Sequence, residues 1–600
     1  MQFNKQQLDA IKHKDGACGV IAGAGSGKST VLVNRIKELT SKGINPNRIM
    51  AITFTRNSAN DLKSKLNKLK ITNVKVGTFH SICGQILQNH GLFTTRRPQE
   101  YEIANLFKSK NNNEKIDYKD IMSFISYQKN YMISCDDEFI YKNSQYSEDI
   151  LRYFYKEYEN YKIKYNMLDF DDLLLNTYKL LKNNNNNDND TCDYILVDEH
   201  QDSNLVQNEL IDLLCPTGNI FCVFDYRQAI YTFRGGNPEY CMDFKNKYPD
   251  AKIINLDINY RSYYNIVSSA NDFMENYYGN YQYYSPSIAD SNKSSDTILY
   301  TSFDKKDESI KIVDEINTLI KKGIKPNEIA VLFRLNSQID YIENELKKRN
   351  IEYNIESNRS FFKRKEISVI LNTLRLIQNP KDNIAYEELF KSRVCPFTYI
   401  RNTVLEEIKL TSSKFNIPFI SASELVNSNR FRDNKSLKSF SSFIDKLTRH
   451  YNSTKSLTKL IDNILNGLKI YEYIENNSIN EEEIRDRTEG LNSFKKFIKT
   501  NTLESFLKYV YGKNKIQPND DKNKIQLMTI HKSKGLEFNH TFIIGVEDGK
   551  FPNNKTEIID EARLFYVAIT RARNNLYLSQ INDDNLFINQ YFNKNINIAS

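Results

Sequence analysis

Short apolar runs alternate with stretches of helical periodicity over the first third of the chain. Apolar runs of this length, bounded by turn residues, predict buried strands. The predicted strands are Gly19–Ala22, Met50–Phe54, Val74–Phe79, Tyr194–Val197 and Ile220–Phe224. Because strands that alternate with helices form a parallel sheet covered on both faces, we expect ligands at the carboxyl ends of these strands.

A second alternating region begins near Thr297 and resumes close to the other end of the sequence. Its predicted strands are Thr297–Tyr300, Ile329–Phe333, Ile351–Ile355, Ile525–Thr529, Thr541–Gly545 and Asn575–Leu578. Residues 91–165 interrupt the first region and residues 381–515 the second, and both have helical periodicity without clear strands. The fold class predicted is α/β, with two parallel-sheet cores that each carry a mainly helical insertion.

The interruptions also set the predicted domain boundaries. The first core comprises residues 1–90 and 166–260, with the insertion 91–165. The second core comprises residues 261–380 and 516–600, with the insertion 381–515. The tract Asn183–Asn187 has low complexity and predicts a solvated loop.

Composition places the chain among folded globular proteins. Of its 600 residues, 40% are hydrophobic and 26% charged. No stretch approaches the ~20 apolar residues of a membrane helix, and the start of the chain lacks a secretion signal. We therefore expect no membrane partner and a cytoplasmic, intracellular location. The net charge of +8 is weak support for a polyanionic partner.

The eight cysteines indicate neither a zinc site nor a disulfide framework. They are scattered, with no C-x-x-C pair and no histidine at zinc spacing. Several, such as Cys18 and Cys222, lie inside apolar runs, so we expect buried free thiols in a reducing compartment.

A glycine-rich turn follows the first predicted strand. It consists of Ala22, Gly23, Ala24, Gly25, Ser26, Gly27, Lys28, Ser29 and Thr30. This pattern is typical of a phosphate-binding loop, in which backbone N–H groups and a helix N-terminus face anionic oxygens. Lys28 can then reach the β- and γ-phosphates, and the Ser29 hydroxyl can bind Mg²⁺. The alternative is an ordinary Gly/Ser turn, since the pattern usually begins with Gly rather than Ala22.

An acidic block follows the predicted strand Tyr194–Val197. Asp198 can bind the same Mg²⁺ as Ser29, and Glu199 can orient and polarise a water molecule. The alternative is an acidic turn or helix start. The block reads D-E-x-Q-D, and its position after an apolar strand, downstream of a phosphate loop, favours phosphoryl chemistry.

Further blocks lie at other predicted strand ends or close to them. Gln7 precedes the first strand, and its amide can read an adenine edge because it both donates and accepts. The remaining blocks are Thr53–Thr55, Gly77–Ser81, Asp225–Gly236, Asn259–Ser262, Thr529–Phe538 and Tyr566–Ala572. In this order and spacing, from Gln7 to Arg573, the chain resembles a superfamily 1 DNA helicase of the UvrD/Rep/PcrA group.

The resemblance implies two RecA-like P-loop cores with ATP and Mg²⁺ bound in the cleft between them. It implies that Gln7 contacts adenine, that Tyr260 stacks on the base, and that Glu537 touches the ribose or links the site to DNA. The implied catalytic residues are Lys28, Asp198, Glu199, Gln228, Arg261 and Arg571. Gln228 senses the γ-phosphate in this scheme, and the two arginines act as arginine fingers. The alternatives are surface ion pairs for the arginines and core packing for Tyr260.

The resemblance implies single-stranded DNA as the partner on the other side of the site. The implied DNA-binding residues are Thr53, Phe54, His80, Tyr231, Phe233 and Arg359. Aromatic rings suit this role because stacking on bases does not depend on sequence. The alternatives are burial for Phe54 and Phe233 and a solvated helix start for Arg359. Five departures from the family pattern are Thr30 for Arg, Arg56–Asn57 for Asn-Lys, Phe233 for Trp, His200 for an aromatic residue and Phe224 for Gly.

The implied activity is ATP-driven movement 3′ to 5′ on single-stranded DNA with unwinding of the duplex ahead. Three alternatives remain open: a translocase that displaces bound proteins but unwinds little, a nucleic-acid-binding scaffold with reduced ATPase activity, and an RNA substrate. The resemblance also implies binding to duplex junctions, repair or replication proteins as partners, and a monomer or weak dimer.

Overall fold

The computed structural model divides the chain into two compact units. Unit 1 comprises Met1–Leu299 and Ile530–Ser600, and unit 2 comprises Tyr300–Thr529. The structure describes residues 3–99, 102–103, 106–107, 118–140, 146–183, 189–355, 362, 364–478, 481–497, 502–511, 523–554, 556–582 and 585–592.

Unit 1 contains a parallel six-stranded sheet in the order β3-β2-β4-β5-β1-β6. Its strands are β1 (Cys18–Ala22), β2 (Ile49–Ile52), β3 (Lys75–Gly77), β4 (Tyr194–Val197), β5 (Ile220–Phe224) and β6 (Lys252–Leu256). The neighbouring inner strands β5 and β1 are buried throughout, which fits their unbroken apolar runs. All these strands run in one direction, so their carboxyl ends share one edge of the sheet.

Two predicted strands end earlier in the structure than in the sequence prediction, and the reason is helix capping. The Thr55 side chain accepts a hydrogen bond from Ser58 N and starts a helix, so β2 stops at Ile52. Thr78 accepts from Ser81 N in the same way, so β3 stops at Gly77. The prediction missed β6 as a strand, since Lys252 and Asn255 interrupt its apolar pattern.

Helices make up most of the rest of unit 1. They are Lys5–Ile11, Lys28–Ser41, Arg56–Lys68, Phe79–Asn89, Tyr118–Asn130, Glu148–Lys164, Phe170–Asn183, Leu205–Leu214, Glu239–Met242, Phe244–Lys247, Tyr264–Tyr278, Ile530–Ser533, Ile558–Ile569 and Leu586–Tyr591. Short 3₁₀ turns at Pro46–Arg48, His200–Asp202, Tyr226–Gln228 and Thr232–Arg234 connect some of these elements. Between residues 91 and 165 the described residues contain helices and no strand, as predicted.

Two further strand pairs lie within unit 1. β7 (Ile258–Asn259) pairs in parallel with β8 (Ile288–Ala289). β13 (Phe538–Val546) pairs in parallel with β14 (Ala572–Ile581), and both strands are longer than their predicted apolar cores. β9 (Ile298–Ser302) spans the boundary between the units.

Unit 2 contains a parallel strand group and a large set of helices. β12 (Ile525–Thr529) pairs with β10 (Ile329–Phe333) on one side and β11 (Tyr353–Ile355) on the other. The helices of unit 2 are Lys305–Lys321, Asp340–Lys348, Lys365–Gln378, Asn383–Ser392, Asn402–Phe415, Phe419–Leu425, Phe431–Thr454, Leu457–Gly467, Ile470–Asn476, Glu481–Phe497 and Leu503–Tyr511. Short 3₁₀ turns lie at Pro326–Glu328, Asn336–Gln338 and Phe397–Tyr399.

The predicted fold class is confirmed: the chain is α/β, with parallel sheets and helical segments where the strand pattern breaks. The division into four parts stays a prediction. All eight cysteines are free, and six of them are buried. None of the described helices combines the length and apolarity that crossing a membrane requires.

Candidate functional site

The predicted phosphate loop forms a tight turn between β1 and the helix Lys28–Ser41. Gly25 and Gly27 have φ values of +71° and +86°, in the left-handed region that favours glycine. A Cβ atom on Gly25 would lie 2.7 Å from the Cβ of Arg261 and from Asn259 Oδ1, so no side chain fits there. The loop is therefore packed directly against the segment that carries Arg261.

The loop leaves polar groups without partners where an anion would bind. The helix that begins at Lys28 has no side-chain cap at Gly27, so its first N–H groups lack the usual acceptor. Ser26 Oγ is buried and has no hydrogen-bond partner among the described residues. Oriented N–H groups and an unpaired hydroxyl fit a phosphate group.

Asp198 and Glu199 follow β4, and their pKa values are shifted in opposite directions. Burial and the neighbouring Glu199 raise the pKa of Asp198 to about 7, and the attraction of Lys28 offsets only part of this. Burial also acts to raise the pKa of Glu199, but Lys28 and Lys534 outweigh it and lower the value to about 2. Glu199 is therefore ionised at neutral pH, and it adopts φ +55° at the turn.

Lys534 connects the acidic block to the segment after β5. Its Nζ contacts the Asp202 carboxylate, donates to Gln228 O at 2.8 Å and lies 3.5 Å from Glu199 Oε2. Burial and the nearby Glu199 raise the pKa of Asp202 to about 6 despite this lysine. The other oxygen of Asp202, Oδ1, has no hydrogen-bond partner among the described residues.

The sequence prediction gave no role to Lys534 or Asp202. Both lie inside quoted motifs, yet they are 332 positions apart in the chain. Only the fold places their charges together, since neither local pattern indicates the other. The only feature of the sequence that indicates this ion pair is that both residues are charged, with opposite sign, and lie in motifs at strand ends.

Gln228 and Arg571 are in direct contact. Arg571 donates from Nη2 to Gln228 Oε1 at 3.1 Å, and Gln228 Nε2 donates to Asp225 Oδ2 at 2.7 Å. Arg571 is only 1% exposed and also donates to the backbone oxygens of Val567 and Leu536. Burial and the nearby Arg261 lower its pKa to about 9, so it is protonated at neutral pH.

Arg261 is held by an ion pair in this structure. Its Nε donates to Glu537 Oε2 at 2.6 Å, and its Nη1 donates to Thr570 O at 2.9 Å. Arg573 contacts the other oxygen of Glu537. Burial acts to raise the pKa of Glu537, but the two arginines outweigh it and lower the value. The residues predicted to act as arginine fingers thus lie in one unit with the phosphate loop.

The residues predicted to contact the base surround the same loop. Gln7 Nε2 donates to Ser26 O at 3.1 Å, and Gln7 Oε1 accepts from Asn4 N at 3.3 Å. Tyr260 N donates to Gly25 O at 3.0 Å, and its side chain is 46% exposed. Asn4 Nδ2 donates to Tyr260 OH at 2.9 Å and links the two. The roles of Gln7 and Tyr260 in binding adenine stay predictions.

The predicted Mg²⁺ ligands fit a divalent cation. Ser29 is exposed in the first turn of the helix. Asp198 is a carboxylate whose pKa stays raised, because Lys28 offsets only part of the effect of burial and of Glu199. Hydroxyl and carboxylate oxygens are the donors that Mg²⁺ prefers. Thr30, which replaces an arginine of the family pattern, is half-buried in the same turn.

Aromatic rings line the carboxyl ends of β2 and β3 and the segment after β5. Phe54 and Tyr231 stack with centroids 4.8 Å apart and planes at 25°. Phe233 is 63% exposed and meets His531 edge-on at 5.9 Å. Tyr231 also lies 5.3 Å from Lys534 Nζ, which places the rings directly beside the charged network. Full burial, the alternative weighed for Phe54 and Phe233, does not describe either ring.

Three further predicted positions have different surroundings. Thr53 is buried, and its Oγ1 donates to Thr55 O at 3.1 Å. His80 meets Phe170 edge-on at 6.0 Å. Burial and the nearby Arg56 lower the pKa of His80, so its ring is neutral at neutral pH. Arg359 lies outside the described residues, and its role stays a prediction.

Two departures from the family pattern pack together away from the charged network. His200 is buried against Phe224 and Phe244, with ring centroids 6.3 and 6.2 Å away. Burial lowers the pKa of His200 to about 3, so it is neutral and packs as an aromatic ring does. Its hydrogen-bond partner is Ser203 Oγ at 3.2 Å. Neither departure removes a charged group from the site.

Comparison with known proteins matches two family models to almost the whole chain. The UvrD/REP helicase N-terminal domain matches residues 3–249, and the UvrD-like helicase C-terminal domain matches residues 254–583. A protein of Buchnera aphidicola subsp. Schizaphis graminum named ATP-dependent DNA helicase Rep is 33% identical over 630 residues, 96% of this chain and 93% of that protein. The ATP-dependent DNA helicase PcrA of Bacillus subtilis is 31% identical, over 98% of this chain and 83% of that protein. The chain therefore belongs to the UvrD/REP helicase family.

Proposed function

We propose that this chain is an ATP-dependent DNA helicase that moves 3′ to 5′ along single-stranded DNA and unwinds the duplex ahead. One observation carries the proposal most directly. Lys534 binds Asp202 and Gln228 O while its Nζ lies 5.3 Å from the Tyr231 ring, which stacks on Phe54. The residues proposed for ATP and the rings proposed for the strand therefore belong to one connected group.

The proposed chemistry is hydrolysis of ATP at the phosphate loop. Lys28 and the loop N–H groups hold the phosphates, and Glu199, ionised at neutral pH, orients and polarises the attacking water. Ser29 and Asp198 hold Mg²⁺, which supplies positive charge against the phosphate oxygens. Arg261 and Arg571 stabilise the negative charge that spreads over the transferring phosphoryl group.

Gln228 is the proposed sensor of the γ-phosphate. Its side chain lies between Asp225 and Arg571, and its backbone oxygen accepts from Lys534. Nε2 carries a second hydrogen, so Gln228 can donate to a γ-phosphate oxygen while it remains bonded to Asp225 and Arg571. Because Lys534 also touches the acidic block, a shift of Gln228 reaches Tyr231 through one side chain. We propose this path as the link between hydrolysis and the grip on DNA.

Stacking rings suit movement along any sequence. Phe54, Tyr231 and Phe233 offer faces on which bases of every type can stack. Phe233 stands where the family has Trp, so we expect a smaller stacking surface there. The relatives Rep and PcrA are named ATP-dependent DNA helicases, which supports DNA as the nucleic acid bound and ATP as the nucleotide hydrolysed. We further propose binding at duplex junctions, repair or replication proteins as partners, action inside the cell as a monomer or weak dimer, and adenine contact by Gln7 and Tyr260.

Strand separation on tailed duplexes tests direction and activity together. Duplexes with a 3′ tail, a 5′ tail or blunt ends are mixed with the protein, ATP and Mg²⁺, and release of a labelled strand is followed. We expect unwinding of the 3′-tailed duplex and little of the other two. Preferential unwinding of the 5′-tailed duplex would contradict the proposed polarity.

A protein-displacement assay separates the main alternative. Streptavidin bound to the end of a biotinylated single strand is released by a translocase even when duplex unwinding is weak. Release without unwinding favours the translocase that only strips proteins. Neither activity, together with no ATP turnover, favours the scaffold with reduced ATPase activity. Parallel assays on RNA strands test the remaining alternative.

A further inference from the structure

Arg227 is a buried cation that has no part in the proposed chemistry so far. It lies in the 3₁₀ turn Tyr226–Gln228, one position before the proposed γ-phosphate sensor, and it is 2% exposed. Burying a guanidinium is unfavourable unless its charge is paired and its N–H groups have acceptors. The partners of Arg227 therefore indicate its role.

The acidic partner of Arg227 is Asp225. Arg227 Nε donates to Asp225 Oδ1 at 2.8 Å, and Arg227 N donates to the same oxygen at 3.2 Å. The other carboxylate oxygen, Oδ2, accepts from Gln228 Nε2 at 2.7 Å. The Asp225 carboxylate therefore connects the arginine on one side to the Gln228 side chain on the other.

The Gln228 amide has one orientation that satisfies both of its neighbours. An ionised carboxylate only accepts hydrogen bonds, and a guanidinium only donates them. Nε2 must therefore face Asp225, and Oε1 must face Arg571, which donates to it at 3.1 Å. The second hydrogen of Nε2 then remains for a γ-phosphate oxygen. A protonated Asp225 could donate to Oε1 instead, and this orientation of the amide would no longer be fixed.

Arg227 favours the ionised form of Asp225. Burial acts to raise the pKa of Asp225, but Arg227 and Lys28 outweigh it and lower the value. The two cations differ once ATP is bound. Lys28 is proposed to hold the β- and γ-phosphates, so its charge is then shared with them. Arg227 is the cation that stays paired with Asp225.

Further contacts fix the guanidinium of Arg227. Its carbon lies 5.4 Å from the ring centroid of Tyr566, in the helix that ends just before Arg571. Its Nη1 donates to Ser285 O at 3.4 Å. A Cβ atom on Gly23, in the phosphate loop, would lie 3.1 Å from its Nη2. Because these contacts hold the guanidinium in place, it is a rigid support for Asp225.

We propose that Arg227 is a positioning residue for ATP hydrolysis, which holds Asp225 so that Gln228 presents Nε2 to the γ-phosphate and Oε1 to Arg571. The proposal rests on the proposed function, in which Gln228 senses the γ-phosphate. Arg227 acts through Asp225 and Gln228 and needs no contact with the nucleotide. Its loss should therefore weaken binding of ATP and not of ADP, which lacks the γ-phosphate.

The affinities for two nucleotides test this expectation. ADP and a non-hydrolysable ATP analogue, each with Mg²⁺, compete with a fluorescent nucleotide for the full chain. For Arg227→Gln we expect the affinity for ADP to equal that of the wild type. Affinity for the analogue should fall about 10-fold, the loss of one hydrogen bond to a charged group. An equal fall for both nucleotides would assign Arg227 to the phosphate loop at Gly23 and overturn the proposal.

Rescue by lysine separates charge from packing. In Arg227→Gln, kcat should fall about 10- to 100-fold, because the γ-phosphate, Gln228 and Arg571 are no longer aligned. Arg227→Lys keeps a positive charge beside Asp225 and loses the planar contact with Tyr566. We expect it to melt at a lower temperature than the wild type and to retain most of its kcat. A kcat as low as that of Arg227→Gln would contradict the proposal.

A double variant tests whether Arg227 acts through Gln228. Gln228→Ala has no amide to orient, so adding Arg227→Gln should lower kcat no further. If the two single losses multiply instead, the residues act separately and the proposal is overturned.

Arg563→Gln is the matched control. Arg563 is also buried, pairs with Asp560 at 2.6 Å and donates from Nε to Tyr278 OH at 2.7 Å, in the same helix as Tyr566. We expect a lower melting temperature, with kcat and the relative affinities for ADP and the ATP analogue unchanged.

Asp225→Asn serves where Arg227→Gln does not fold, which thermal melting shows. It removes the charge that orients Gln228, so the affinity for the ATP analogue should again fall relative to that for ADP. Unchanged relative affinities in a folded Asp225→Asn would overturn the proposal.

The outcomes separate this proposal from the proposed function. A wild type without ATP turnover would refute the proposed function and this proposal with it. A wild type that hydrolyses ATP, with Arg227→Gln behaving like Arg563→Gln, would leave the proposed function in place and overturn the role of Arg227.

Discussion

Unit 1 contains two clusters of acidic and basic side chains with similar composition. They differ in how closely each carboxylate is paired with a cation. The closed cluster consists of Lys129, Lys162, Glu159, Asp169 and Asp172. Both lysines lie within 2.6–2.9 Å of all three carboxylates. Each lysine is 2–3% exposed, so water contributes little.

The open cluster consists of Asp198, Glu199, Asp202, Lys534 and Arg571. Its carboxylates are not all paired with nearby cations, as those of the closed cluster are. The pKa of Asp198 is raised to about 7 and that of Asp202 to about 6, in both cases by burial and by Glu199. One oxygen of Asp202 has no hydrogen-bond partner among the described residues.

The difference distinguishes a structural ion cluster from a site. In the closed cluster, burial opposes ionisation of Asp169, but the two lysines outweigh it and hold the pKa of Asp169 well below its usual range. The three carboxylates could hold a metal ion by their spacing alone, yet the lysines already fill that place. In the open cluster Asp198 and Asp202 lack matching positive charge, and a bound Mg²⁺ would supply it at Asp198.

The largest expected effect comes from the residue that faces the phosphates. Lys28→Ala should lower ATP turnover about 10³-fold, because the charge that binds and stabilises the β- and γ-phosphates is lost. Melting temperature should change little, and binding of single-stranded DNA should remain measurable. Lys37→Ala, on the exposed side of the same helix, is the control. ATP turnover near the wild-type value in Lys28→Ala would refute the site.

Glu199→Gln tests the catalytic carboxylate of the open cluster. We expect ATP turnover to fall about 10²- to 10⁴-fold, since the amide cannot accept a proton from the attacking water. Binding of the nucleotide should persist, which a fluorescent ATP analogue can measure. Glu209→Gln, which changes an exposed carboxylate paired with Lys247, is the control. Equal turnover in Glu199→Gln and the control would assign catalysis to another group.

Lys129→Ala tests the closed cluster. Removing one cation leaves buried carboxylates unpaired and should cost about 3–5 kcal/mol in the free energy of unfolding of this segment. Lys156→Ala, which removes an exposed pair with Asp136, should have little effect. Because the pKa of Asp169 is depressed in the fold, its stabilising contribution is present at neutral pH and is lost as pH falls below about 4. Thermal melting at several pH values measures both effects.

Phe54→Ala tests the ring side of the network. Loss of the ring that stacks on Tyr231 should weaken binding of single-stranded DNA about 5- to 100-fold. Phe303→Ala is a control, since Phe303 is an 88% exposed ring in unit 2 with no assigned role. Anisotropy with a fluorescent oligothymidylate measures the difference. Equal affinity in both variants would remove Phe54 from the DNA path.

The smallest expected effect is a pH-dependent change in stability. Asp202 has a pKa raised to about 6 in the fold and near 4 in the unfolded chain, so its contribution to stability falls as pH rises through 6. Asp202→Asn has no such charge. The melting temperature of Asp202→Asn relative to wild type should rise by about 1–3 °C between pH 5 and pH 8. A constant difference across that range would contradict the shifted pKa.

Much of the first sheet could be predicted from the sequence. The predictions for β4 and β5, Tyr194–Val197 and Ile220–Phe224, match their observed bounds because both are uniform apolar runs. Errors occur where a cap residue ends a strand, as Thr78 does, and where polar residues interrupt the apolar pattern, as in β6. Local sequence patterns give only weak indications of where a helix cap ends a strand or where a strand contains polar residues.

The residues of the candidate site also fall into those that local sequence patterns indicate and those that they do not. Residues inside dense motifs, such as Lys28 and Asp198, could be chosen from the sequence. Lys534 could not, because its importance depends on partners far away in the chain. The closed cluster was also missed, since its members have ordinary helical spacing and acquire meaning only through burial.

The rate of ATP hydrolysis with and without single-stranded DNA tests the central claim most directly. If Lys534 and Tyr231 connect the nucleotide residues to the strand rings, oligothymidylate should raise the steady-state rate severalfold, and Tyr231→Ala should reduce that stimulation. A wild-type protein that hydrolyses ATP at one rate, whatever the concentration of DNA, would contradict the connection.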